Sequence, residues 1–569
     1  MEIVSAKHER AVLKVVIWTG ASLILFIALC VGGARTYHEW ESRHSLRRAQ
    51  GYFNGGDYRL AAISARRALD LKPDLADAAR LMAKIAEQTG DKAAIDWRRK
   101  VVLYDPTSDA AKLDLAATAL RFKEIKVAEE ALESTSEAGK QDSQFTAMRA
   151  RIAQARQNKI EAERLWTKAV EINPNDASWK FELASARLAL GDADKRKSAI
   201  QILQTLRDDP KQRVPAVRAL ISDGILHREP VGNILELAQQ LQSFPEADFN
   251  DRITYLDILH QTGHEKFVGY LTDVEEASRN NPTQLATLIS WMNKAKLGSL
   301  AIDFANGLPP EKSQAWPVPL ALADSFSSVG AWPALEQFLK DGNWSQFEFL
   351  RRAYLARSYR EQDKAVLAER EWAAAGKEAS ENSQRLLLLA TTVAEWHWDK
   401  ETDSLLWDLS KRADSQTEAL RTLYKRYTQL GDASGLYRVL NRLLEIEPDD
   451  QAVQNNFAQV ALLLKADLER AHKLAFDLHQ QQPTNPAFAT TYAFALFRQG
   501  KTAQALAVMN ELTPEQISDP SVSLYYGIFL VASGDLEKAR PFLQSAEKAP
   551  MFPEERQMLG EAKRKMALE

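Results

Sequence analysis

The sequence predicts an all-α chain: an α-solenoid of antiparallel helical hairpins preceded by one N-terminal transmembrane helix. Three observations predict it. Small residues recur at spacings of 7, 5, 7 and 5 within a period of 34 residues. Prolines close the units with the same period, Pro73, Pro106 and Pro174 being separated by 33 and then 68. Residues 15–34, VVIWTGASLILFIALCVGGA, carry no charge. At 569 residues the chain is about four times a usual single-domain length, which favours an array or several domains over one core.

Composition narrows the function classes. A hydrophobic fraction of 45% with 26% charged residues belongs to a folded chain. Twenty-four glycines and 21 prolines exclude collagen-like and low-complexity readings. The net charge of −4 excludes a chain built mainly to grip nucleic acid. The single cysteine, Cys30, excludes a disulfide framework, a CxxC redox centre and a multi-cysteine zinc site.

The N-terminus sets the expected compartment. Twenty helical residues at ~1.5 Å each span the ~30 Å hydrocarbon core. Lys7, Arg10 and Lys14 precede the stretch and Arg35 closes it. A retained signal anchor is the leading reading. A cleaved signal peptide, ending at Gly32-Gly33-Ala34, is the second, although its apolar stretch exceeds the ~7–15 residues usual for that class. Lipidation at Cys30 is the third, and Leu29 stands where a small residue is required. Lys/Arg are nearly balanced across the span, with Arg35, Arg43, Arg47 and Arg48 following it. A short tail before a first helix ordinarily stays cytoplasmic, so the expected location is a bacterial inner membrane with the solenoid outside the cytoplasm. The absence of cysteine after position 30 fits export.

The comb of small residues runs through Ala49, Gly56, Ala61, Ala68 and Pro73. It returns at Ala150, Gln157, Ala162, Ala169 and Pro174, and at Gly527, Gly534, Ala539 and Ala546. Ala471, Ala505 and Ala539 are each 34 residues apart, as are Gly500 and Gly534. Two helices joined by a short turn approach most closely where only Ala or Gly fits. Gly-Asp at 56–57, 90–91, 191–192, 431–432 and 534–535 ends the first helix of a pair, and a proline stops the second. Tyr52, Trp97, Trp166, Trp179 and Phe181 are the expected large core residues between them.

This pattern resembles the tetratricopeptide repeat (TPR) family over about 40–210 and 420–550, and in particular its membrane-anchored members. Between 211 and 419 the comb is not clean, and degenerate helical-hairpin repeats are expected there, with a separate helical domain as the alternative. The expected order is a short tail 1–14, a signal anchor 15–34, TPR repeats 35–210, degenerate hairpins 211–419, TPR repeats 420–550 and a charged capping helix 551–569. Asp194-Lys195-Arg196-Lys197 reads as a loop insertion.

Catalytic signatures are lacking: there is no GxGxxG, GxxxxGK[ST], HExxH or GxSxG. His260 and His264, beside Glu265, have helical metal-ligand spacing, but Gly263 breaks the helix and no third ligand follows. His397 lies in EWHWDK at a helix end. No residue is assigned as catalytic, cofactor-binding or metal-ligating, no cofactor is expected, and the chain is expected not to be an enzyme. Eight of the 13 tryptophans fall at 291, 316, 332, 344, 372, 396, 398 and 407. They either fill gaps between loosely matched helices or form a glycan or peptide groove. Arg35, Arg43, Arg47, Arg48, Arg59, Arg66 and Arg67 make the membrane-proximal end basic, suited to anionic lipid.

The resemblance implies a membrane-tethered scaffold or adaptor that holds a protein or peptide partner on the concave face, with no nucleic acid. A Lys/Asn/Arg clamp for peptide carboxylates, known in some TPR domains, has no counterpart here. The cysteine-ligated metal domain that ends another membrane-anchored TPR family is excluded by the absence of cysteine at the C-terminus. The alternative function is an extracytoplasmic glycan-binding component using the tryptophan-rich middle.

Overall fold

The computed structural model describes residues 37–568. The expected tail, membrane span, Cys30 and Arg35 lie outside them. Among the described residues there is no strand, and no helix is long and apolar enough to cross a membrane.

The elementary piece is the hairpin that the comb predicts. Helix 37–54 is followed by Tyr58–Leu71, and the turn between them is Gly56-Asp57. The two residues do different work. Gly56 takes φ +78, a left-handed conformation that costs a residue without a side chain nothing. The Asp57 carboxylate accepts from the Leu60 N–H at 2.9 Å and caps the second helix. Asp192 and Asp432 cap in the same way, accepting from Lys195 N and Gly435 N. After several second helices the chain passes through a proline two positions beyond the last helical residue: Pro73 after Leu71, Pro106 after Tyr104, Pro174 after Ile172.

A left-handed residue at this turn recurs through the described chain every 33 to 37 residues, from Gly56 to Gly534. In the middle region the positions are Arg228, Gly263, Lys296, Gly330, Asp363 and His397. The hairpin therefore persists there although the glycine is often missing. A non-glycine residue in this conformation costs roughly 1–2 kcal/mol, and the packing of the hairpin bears it. That substitution is why the comb looks broken in the sequence.

The alanines of the comb are the points of closest approach. Ala49, Ala61, Ala68, Ala150, Ala162, Ala169, Ala471, Ala493, Ala505, Ala539 and Ala546 are all 0–1% exposed. At Gly527 even a methyl group is too much, since an added Cβ falls 2.6 Å from Leu543 Cδ2. Trp166 is fully buried and Trp179 nearly so, as expected of wedge residues.

The chain divides into two compact units, Met1–Val274 and Glu275–Glu569. Within the first, buried charges tie each hairpin to the next. Arg98 donates to Glu87 at 2.9 Å and to Asp114 at 2.7 Å, and Thr118 adds a bond to Glu87 at 2.6 Å. Glu163 accepts from Arg187 and Lys195, and Arg218 makes a two-pronged pair with Asp251. Burial pushes the Glu87 and Glu163 carboxyls up, but their charged and hydroxyl partners outweigh it and hold both below the usual value. The residues expected as an insertion loop, Asp194–Lys197, lie instead inside helix Ala193–Leu206. Lys195 and Arg196 are held there by Glu163 and by Asp223 with Glu229. The extra length sits at 207–212, where the Asp209 carboxylate accepts from the N–H groups of Lys211 and Gln212.

In the second unit the hairpins continue from Pro282–Lys294 to Leu536–Ala546, and the last helix is Pro553–Leu568.

Arg98 is 6% exposed, so removing it leaves the largely buried Glu87 carboxylate without its cation. Arg98→Met is expected to cost about 3 kcal/mol, seen as a lower unfolding midpoint. Adding Glu87→Met to it is expected to restore part of the loss, because an apolar pair needs no partner. No difference between the single and double variants would show that the pair does not fix the hairpin register.

Candidate partner-binding surface

The predicted histidines do not converge. His260 sits in the last turn of helix Phe249–Gln261 with its ring 5.1 Å from that of Phe267. Gly263, at φ +60, turns the chain, and His264 accepts at Nδ1 from the N–H of Lys266. Among the described residues no group of three or more His, Cys, Asp or Glu is placed to hold a metal ion. His397 is the left-handed turn residue of its hairpin, exposed, with the buried Trp398 beyond it and the half-buried Trp396 before it.

The tryptophans are spent on packing. Trp316 stacks on Phe347 at 3.8 Å with planes 7° apart, and Trp344 meets Trp316 edge-on and Tyr354 at 6.0 Å. Tyr354 then meets Trp396, Trp396 meets Trp398, and Trp398 meets Trp372, all edge to face within 5.7 Å. Arg360 covers Trp398 at 3.7 Å, and the Trp407 N–H donates to Tyr427. Trp291 is buried. A sugar platform needs open indole faces, and those of Trp332, Trp396 and Trp398 are covered by rings and guanidinium groups, while Trp316, 37% exposed, has one face on Phe347.

The cluster that stands out lies in the second unit, in the inner and C-terminal turns of the first helices of two hairpins. Three side chains meet there from Val318–Ser328 and Glu348–Glu361. The buried Tyr354 donates its hydroxyl to Asp324 at 2.5 Å. Burial pushes the Asp324 carboxyl up to about 6; Tyr354 and Arg357 pull it down and Glu395 adds to the rise. Arg357 lies over Trp332 at 5.5 Å and Trp396 at 4.8 Å. Burial lowers its pKa, and among the described residues no carboxylate reaches ion-pair distance from it. Its fork of donors is thus held against two indoles and senses Asp324 and Glu361 only from beyond ion-pair distance.

The same kind of helix end, farther along this unit, already carries a helix. Pro553–Leu568 does not lie only on the hairpin before it. Pro553 approaches Gly431, which ends Gln416–Leu430, at 3.7 Å from the position of a Cβ. Met558 Sδ is 3.8 Å from Nη2 of Arg498, the last residue of Pro486–Arg498. The Lys565 ammonium points at the Val531 carbonyl of Pro520–Ser533, and Gln451–Leu464 also touches the helix. Tyr525 donates to the buried Glu555 at 2.5 Å, while Glu555 accepts from the Phe552 N–H with its other oxygen. Leu559 and Ala562 are 7% exposed beneath it.

In the first unit, the first hairpin shows Tyr37 and Trp40 at 59% and 57% exposure, with Leu60 and Ile63 also exposed. Arg47, Arg48, Arg59, Arg66 and Arg67 are exposed, while Arg43 pairs with Glu39.

Sequence reasoning passed over Asp324, Tyr354, Arg357, Arg498, Tyr525 and Glu555, because none belongs to the comb. One signal was available: Asp324 is the lone charge in the apolar helix VPLALADSFSS.

No family profile and no curated protein matches the chain. Among solved structures, PilF of Pseudomonas aeruginosa shares 15% identity, covering 39% of this chain and 99% of its own, with a TM-score of 0.31. The Cut9–Hcn1 hetero-tetramer of APC/C shares 16%, covering 82% and 99%, at 0.30. A MamA double mutant from RS-1 shares 16%, covering 30% and 98%, at 0.27. At such scores the likeness carries no argument, and the fold rests on the hairpins themselves.

Asp324 makes a prediction with a definite sign. Its raised value means that the folded chain holds the proton more tightly than the unfolded one. The resulting stability is full below the unfolded value of 3.8 and is lost as the pH rises through about 6. Asp324→Asn keeps the acceptor for Tyr354 and never ionises. It is expected to stabilise the chain at pH 7.5 by about 2 kcal/mol, with a smaller gain at pH 4.5, in thermal melts across pH. An equal gain at both pH values would contradict the account.

Proposed function

We propose that the chain is a membrane-tethered, non-enzymatic scaffold that holds a partner protein on the first-helix ends of its second unit. The single observation that carries this is the helix Pro553–Leu568 lying across the ends of Gln416–Leu430, Pro486–Arg498 and Pro520–Ser533, a face that accepts a helix. Beside it in kind, Arg357 offers unused donors between two indoles, the composition of an interface anchor. A hairpin array supports such work because each pair packs only on its neighbours and leaves long faces free.

The tether is read from the charge-free residues 15–34, and the exposed Tyr37 and Trp40 with the exposed Arg47, Arg48, Arg59, Arg66 and Arg67 suit the interface of an anionic bilayer. The location proposed is a bacterial inner membrane with the array outside the cytoplasm.

Affinity capture from cross-linked detergent extracts tests the scaffold. Wild-type chain is expected to enrich a partner protein, and Arg357→Glu to lose it about tenfold, the effect of reversing a half-buried interface charge. Failure of the wild type to enrich any protein in several extraction conditions rejects the reading. For topology, a reporter fused at Glu569 is expected to be active only outside the cytoplasm, and protease added to intact spheroplasts to digest the array. Cytoplasmic reporter activity reverses the orientation.

A further inference from the structure

We infer that the seat beneath Pro553–Leu568 takes an amphipathic helix of a partner protein bearing two carboxylates three residues apart, for which the chain's own last helix is a weaker stand-in. The inference rests on the scaffold reading above and supplies the chemistry of the partner.

The resident helix satisfies half of its seat. Glu555 meets Tyr525, whose hydroxyl also lies 3.4 Å from the Gln459 side-chain amide. One turn later comes Met558, and beneath it Arg498. Among the described residues that arginine makes no ion pair. Its Nε is buried without a hydrogen-bond partner. Its Nη2 reaches only the Leu463 carbonyl at 3.4 Å and the Met558 sulfur at 3.8 Å, and its plane lies over Phe494 at 4.8 Å. A thioether is a weak acceptor, so the guanidinium is partly desolvated with little Coulombic return. The other ionisable groups it senses are Tyr525, committed to Glu555, and Glu561, which accepts from Gln557. Burial prevails, and the pKa of Arg498 falls below the ordinary value.

Glutamate and methionine side chains are of similar length. A glutamate at the position of Met558 therefore places its carboxylate where the sulfur now sits. A helix with carboxylates at i and i+3 and small or apolar residues at i+4 and i+7, as Leu559 and Ala562 are here, fills the seat completely. The resident helix has only 16 residues and is strongly charged on its outer face, so it draws its order from docking. Its seat opens by local unfolding more readily than the hairpins do.

Amide hydrogen exchange of the purified full-length chain tests this. Met558→Glu is expected to slow exchange across 553–568 about tenfold, while Met558→Gln, of the same shape without charge, leaves it unchanged. Arg498→Met combined with Met558→Glu is expected to abolish the gain. A synthetic peptide of residues 551–568 carrying Met558→Glu, added to the wild-type chain, is expected to speed exchange of the resident helix saturably. It is expected to act at about one-tenth the concentration needed for the unaltered peptide. Equal potency of the two peptides, or no slowing in Met558→Glu, overturns the inference. So does protection of 553–568 that rises with protein concentration, which assigns the seat to a second copy. These readouts need no partner from the cell. A captured partner with failed peptides removes the seat and leaves the scaffold, and displacement without capture does the reverse.

Discussion

Everything in this molecule depends on how closely two helices of one hairpin approach. The approach is set by a few alanines and by Gly527, where a single added methyl collides with Leu543. Close packing at that point fixes the pair as one body, and the short left-handed turn fixes its hand. Each pair then needs only its neighbours to bury its remaining apolar face, so length adds hairpins without enlarging a core. The same constraint explains what varies freely. Once the alanines hold, the turn tolerates Lys296, Asp363 or His397 in the left-handed conformation, and the faces away from the contact carry almost any polar residue.

Buried charge is handled in two ways. In the first, Arg98, Arg187, Arg196 and Arg218 each meet carboxylates of a neighbouring helix or hairpin, so desolvation is offset by pairing and register is specified. In the second, Arg351 and Arg426 are likewise paired with carboxylates, whereas Arg357 and Arg498 lie half-buried against aromatic rings, with no carboxylate of the described residues at ion-pair distance. An unpaired guanidinium is a standing cost to the fold. The first-helix ends of this unit, and not its aromatic chain, therefore carry the binding proposal.

The aromatic residues show how one residue type serves either purpose. A run of tryptophans at irregular spacing fits a sugar groove or gap filling equally well in one dimension. Their faces decide it: Trp316 is stacked on Phe347, Trp398 lies under Arg360, and Trp396 stands between Tyr354 and Arg357. A covered face has no sugar to bind.

From sequence alone the hairpin, its period, its alanine contacts and its proline stops were all legible, because each depends on residues within about 34 positions of one another. The apolar 15–34 stretch was legible for the same reason, as a local property of composition. The persistence of the period through the middle was not legible, since it is written in backbone φ at Arg228, Lys296 and Asp363, not in residue type. The Asp324–Tyr354–Arg357 cluster and the Glu555–Tyr525 and Met558–Arg498 contacts were also beyond reach. They join residues 30 to 60 apart on different hairpins, and only the packing of those hairpins decides which side chains meet and which charge is left without a partner.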